Sequence, residues 1–180
     1  MPNTHVIKDK KENKMDAEAK KTALRMIPYG IYVLTTNGEE GPTAATVNWV
    51  TQTSFEPPLV VVGVKTDSHT YEAIKQSGYF TLNMLGKGQQ GQAFGFFKPS
   101  EIDGNMISGE PFRASANGCP VLENAHAHVE CKVEEIVERG DHHIVIGEVI
   151  DANIAKQPDG RADEAILEMK ELGENVFYGG

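Results

Sequence analysis

The stretch TVNWVTQTSFEPPLVVVGV, residues 46–64, limits the folds open to this chain. LVVVGV is a β-branched run that favours a buried strand over a helix. Pro57 and Pro58 precede it. Proline cannot donate to a β-ladder, so the preceding strand, over 43–55, must stop there. Within that strand Val47 and Trp49 alternate with Asn48, as a half-buried strand requires. Then Thr51, Gln52, Thr53 and Ser54 put polar groups on both faces. Such groups can read the edge of a planar heterocycle, and they equally suit the solvent face of an antiparallel strand.

Similar strand patterns recur along the chain. Strands are expected at 30–36, 59–65, 79–85, 126–138 and 143–154, with turn signals NGEEGP at 37–42 and RGDHH at 139–143. A helix is expected from Asp16, its cap, to Met26, before Pro28. A second, over 66–78, has Asp67 or Ser68 as cap and Gly78 as stop. Residues 88–97 read as a short helix or a loop, the region to Gly118 as a long loop, and 163–171 as helical. About six strands joined mostly by hairpins specify an antiparallel barrel with helical additions. No GxGxxG or GxxxxGK[ST] follows a strand, which argues against dinucleotide-fingerprint and P-loop chemistry.

The chain has 180 residues, enough for one domain with a real core. Residues 1–16 read as a solvated arm, or one lying on a partner subunit, and 17–180 as the domain. Lys and Arg number 17 against 26 Asp and Glu, a net charge of -9. An acidic chain suits neither nucleic acid nor anionic membranes. Its two cysteines, Cys119 and Cys131, form no disulfide framework or zinc pattern. With no secretory signal and no long apolar run, the expected location is the cytoplasm.

Three further segments could carry chemistry. KTDSHT (65–70) joins a strand to a helix, where a lysine, hydroxyls and free helix-start amides make a phosphate seat; plain N-capping also accounts for them. GDHH (140–143) opens a strand with two histidines that must point to opposite faces, as proton carriers or as turn residues. HAHVECKVEE (126–135) puts His126, His128 and Glu130 on one face, a reachable metal geometry; a cupin-type pattern needs a later acid, Glu134 or Glu135, a solvated strand face is the plainer reading, and no metal site is assigned.

Taken in order, N-x-x-T-x-x-S-x-x-P-P, K-x-x-S-x-T, F/Y-x-x-N, C-P-x-L and GDH-x-x-x-x-GEV resemble the flavin reductase-like family of FMN-binding split barrels, over about Arg25–Ala155. The resemblance implies a mainly β, six-stranded antiparallel Greek-key split barrel, a homodimer with FMN near the interface. FAD is an alternative, and NAD(P)H is the reductant. Carried over by position, Thr46, Val47, Asn48, Trp49, Thr51 and Thr53 approach the flavin ring or ribityl chain. Lys65, Ser68, His69 and Thr70 hold its phosphate, and His142 lies near the reactive face. His143 is then an extra residue on the opposite side. Many members carry a basic, glycine-rich stretch where this chain reads AFGFFKPSEIDGNM, which leaves Phe94, Phe97 and Lys98 as ligand-capable groups there. The implied activity is NAD(P)H:flavin oxidoreduction, serving a monooxygenase or redox-protein partner. A flavoredoxin-like electron carrier is the alternative, and a cupin-like metalloprotein a remote one.

Overall fold

Strand β1 (Tyr32–Gly38) turns through Glu39 and Glu40 into β2 (Gly41–Val47), and their register runs from Tyr32↔Val47 to Gly38↔Gly41. This is a computed structural model, and it describes residues 15–180. The expected arm at 1–16 lies almost wholly outside those residues. Next come β3 (Val50–Ser54), β4 (Leu59–Lys65), helix α2 (His69–Ser77) and β5 (Tyr79–Met84), with helix α1 (Ala17–Arg25) preceding β1. Then follow α3 (Gln90–Gly95), β6 (Ile102–Asp103), β7 (Met106–Ile107), β8 (Glu110–Ala114) and β9 (Pro120–Leu122). The long strands β10 (Ala127–Val137) and β11 (His142–Ile154) and two 3-10 turns, Ala162–Glu164 and Met169–Leu172, complete the order.

Seven strands form the barrel wall in the order β2-β1-β5-β10-β11-β4-β3, all neighbours antiparallel. The strand expected over 43–55 is broken at Asn48 and Trp49. Its first half pairs with β1 and its second with β4, so the chain itself joins the two ends of the sheet. Counted as one bent strand, β2 and β3 make the wall six-stranded, the expected split barrel.

Alternation sorts the wall into two faces. Leu34, Val62, Phe80, Leu82, Cys131 and Val145 point inward, and α2 closes this core with Tyr71 and Ile74. Ser68 caps α2 by accepting from Tyr71 N–H, and Gly78 stops it in the left-handed region at φ 71°. Gly147 is required by this packing, because a Cβ there would lie 2.6 Å from Phe80 Cζ.

The outer face of β1, β5 and β10 is covered by the chain's own later segments. The expected loop to Gly118 holds β6, β7 and β8, which with β9 form a four-stranded sheet. Its docking is polar. Buried Asn83 donates to Val33 O (3.0 Å) and Thr35 Oγ1 (3.1 Å) and accepts from Leu122 N–H (3.0 Å). Thr35 Oγ1 donates to Pro120 O at 2.5 Å. The expected helix at 163–171 is interrupted for a similar reason. Leu167 donates to Leu85 O and accepts from Ile31 N–H, both at 2.8 Å, and these long-range bonds outweigh a nine-residue helix.

Two units divide the chain, Pro28–Val176 and one comprising α1 with Phe177–Gly180. In the latter, Asp16 caps α1, and Arg25 stacks on Phe177 at 4.2 Å and donates to Gly179 O. Among the described residues, no helix is long and apolar enough to cross a membrane.

Asn83→Ala strands the buried Leu122 N–H and removes two further bonds. It lowers the unfolding free energy by about 2–3 kcal/mol in urea denaturation.

Candidate functional site

The break at Asn48 and Trp49 places the indole on the outer wall. Trp49 accepts Gly63 N–H at 2.9 Å, and its ring lies over Gly63, where a Cβ would be 3.1 Å from Trp49 Cε3. The glycine inside LVVVGV is the sequence signal for this close approach. The Trp49 ring also meets His142, centroids 4.6 Å apart and tilted by 57°. His142 Nδ1 lies 2.9 Å from Asp141 Oδ1. That hydrogen bond holds the exposed Asp141 carboxyl below its ordinary range.

The KTDSHT segment adjoins this pair, since His142 and Lys65 are register partners across β11 and β4. Thr66 donates to Asp141 O through its amide (3.0 Å) and hydroxyl (3.2 Å). Ser68 Oγ donates to Lys65 O at 2.7 Å and accepts from Tyr71 N–H at 3.1 Å. The capping reading therefore holds for Ser68, and it coexists with the phosphate reading. The first two amides of α2, on His69 and Thr70, have no intrahelical acceptor. With Lys65 Nζ, here paired to Asp67 at 3.0 Å, they form a donor set that fits a phosphate. His69 is exposed, whereas Thr70 is buried with its hydroxyl 3.3 Å from Thr43 Oγ1. Thr43 was not singled out, because the sequence carries no sign of so distant a partner.

The remaining candidates divide. Thr46 Oγ1 donates to Ala93 O (2.7 Å) and its amide to Phe96 O (3.2 Å), so this residue seats α3. Phe94 and Phe97 form an exposed edge-to-face pair, 5.3 Å apart, at the end of that helix. Ser100, also not anticipated, holds the free edge of β2 through Ala44 N–H and O. Val47 packs against the barrel core, which leaves its backbone for any ligand, and Asn48 is buried. Thr51 and Thr53 are exposed on β3, the sheet's edge, with a register shift between Gln52 and Ser54.

The solvated face expected for His128 and Glu130 is overturned. Both are buried, 4.0 Å apart, and Asn117 donates to Glu130 at 3.2 Å. Burial, seconded by Arg113, pushes the His128 pKa down. Among the described residues, no three His, Cys, Asp or Glu side chains gather in a metal-holding group. A cavity of about 170 Å³ lies elsewhere, beside Gly86, His126 and Ile154, and has an apolar lining.

Comparison with known proteins agrees with this layout. The family model described as "Flavin reductase like domain" matches residues 24–169. A "Probable flavin reductase" of Rhizobium meliloti is 32% identical over 135 residues, 74% of this chain and 42% of that protein, so the match spans under half of that relative's length. "Flavin reductase (NADH)" of Kitasatospora aureofaciens is 33% identical over 76% of this chain and 71% of its own. The solved styrene monooxygenase flavin reductase of Pseudomonas putida S12 superposes with a TM-score of 0.68 at 29% identity, covering 90% of this chain and 96% of that one. The family model covers most of the chain and the relatives agree with it, and the chain belongs to the flavin reductase-like family.

Proposed function

We propose that this protein is an NAD(P)H-dependent flavin reductase that binds FMN on the outer wall around Trp49. The observation that carries the reading is the juxtaposition of the Trp49–His142 pair with the α2 N-terminus and Lys65. A bound flavin supplies the two-electron acceptor chemistry that takes hydride from a nicotinamide. The chain's residues grip, orient and shield. Amides of His69 and Thr70, with Lys65, hold the phosphate. Trp49 gives an apolar wall, and the unpaired edge of β3 at Thr51 and Thr53 offers backbone groups to a hydrogen-bonding ring edge. His142, oriented by Asp141, positions the nicotinamide. The single helix-start seat suits the lone phosphate of FMN, with FAD as the competing ligand.

The relatives support the reductant and the partner. One is named for NADH, and another is the reductase of a styrene monooxygenase. An oxygenase component is accordingly the proposed acceptor of the reduced flavin. A homodimer is supported by exposed apolar residues on and beside the wall that the chain's own segments leave open: Ile144 at 41%, Ile150 at 49% and Phe55 at 90% exposure. The free, buried Cys119 and Cys131 suit a reducing cytoplasm. An electron carrier that holds FMN and reacts slowly with nicotinamides is the second reading, and the net charge of -9 favours it as a docking surface for a basic partner.

Anaerobic mixing with NADH or NADPH separates the two. Quick bleaching of the flavin absorbance is the outcome of a reductase; a persistent yellow form would sink the proposal in favour of the carrier. His142→Ala slows this reduction by about tenfold and leaves FMN bound, as positioning of a reactant predicts. Lys65→Ala weakens FMN binding by about tenfold, seen by flavin fluorescence titration, with little effect on riboflavin, which has no phosphate.

A further inference from the structure

His143, beside the site residue His142, faces the other way and has its own partner. Its Nδ1 lies 2.5 Å from Tyr71 Oη, and the two rings meet edge-on with centroids 5.2 Å apart. Tyr71 is 3% exposed and belongs to the barrel core. Burial pushes its phenol pKa up, so the group stays neutral at ordinary pH. A neutral phenol donates or accepts with equal ease, so the direction of the bond to His143 Nδ1 follows the imidazole tautomer. The charged groups around the pair are Lys75, whose ammonium is 5.4 Å from the Tyr71 ring, Glu72 on α2, and Glu138 just beyond β10.

Each partner is one step from a ligand-facing group. Tyr71 N–H is the amide that Ser68 caps, so the Tyr71 backbone sets the first turn of α2. His143 pairs with Val64 as its neighbour His142 pairs with Lys65. Satisfying a buried phenol by a nearby imidazole is ordinary packing chemistry. Here, however, the bond spans the two segments that the flavin site is built from, and Thr66 to Asp141 is a parallel tie.

Resting on the reductase reading above, we infer that the Tyr71–His143 hydrogen bond is a positioning contact that fixes the α2 N-terminus relative to His142. Phosphate grip and nicotinamide placement are thereby set by one linkage. Neither residue touches the reacting atoms.

Tyr71→Phe keeps the ring and removes Oη, and His143→Asn keeps an acceptor near the Nδ1 position. The test uses the full chain, with fluorescence titration of FMN and of riboflavin, stopped-flow reduction by NADH, and urea denaturation. Tyr71→Phe should raise the FMN Kd about fivefold, leave riboflavin within about twofold and slow reduction at saturating NADH about fivefold, while His143→Asn stays near wild type. A Tyr71→Phe protein with wild-type FMN-to-riboflavin preference and rate would overturn the inference. So would equal loss of both flavins with earlier unfolding, which marks a packing role alone. A wild-type protein that binds no flavin overturns the reductase reading first and this inference with it, a result distinct from an unchanged variant of a flavin-binding parent.

Discussion

The barrel depends on a two-residue break. At Asn48 and Trp49 the chain leaves the ladder with β1 and enters the ladder with β4, so one bent segment closes the wall. At the break Trp49 O still accepts from Gly63 N–H. It also explains the polar residues that the strand pattern could not absorb. Before the break, Thr46 seats α3; at it, Asn48 is buried and Trp49 lies on Gly63; after it, Thr51 to Thr53 project from an edge strand. Closure and site are consequences of the same local geometry.

The wall's two faces obey different rules. Inside, the packing is apolar and tight enough to require Gly147 against Phe80. Outside, over β1, β5 and β10, the register places Thr35, Thr81, Asn83, His128 and Glu130, all buried. Burying such groups is costly unless they find partners, and of these the Thr81 hydroxyl finds none among the described residues. Asn83 and Thr35 find theirs in the backbone of β9, and Glu130 in Asn117. The four-stranded sheet is thus held by directional bonds as well as by apolar contact. Over β4 and the start of β11 stands the Trp49–His142 pair.

Local chemistry was legible in the sequence wherever it decided the structure. Asp16 and Ser68 cap their helices, Gly78 ends one, and the double proline ends β3. Period-two reasoning put His142 and His143 on opposite faces, and that holds. What stayed hidden depends on distant partners. The period correctly grouped His128 with Glu130 but could not reveal that Asn117 and its turn would cover them. Leu167 reads as part of a helix until Ile31 and Leu85 claim its backbone. Tyr71 reads as a core aromatic, and only the fold brings His143 to its hydroxyl.

Trp49 is the one tryptophan in the chain. It is also half-buried, packed on Gly63 and in ring contact with His142. The tryptophan emission of the whole protein therefore originates at a single address, the wall of the candidate site. A flavin stacked there would drain that emission by energy transfer, whereas events at the apolar cavity by Gly86 would reach it only through the frame. The molecule carries its own optical probe, placed by the same bend that closes the barrel.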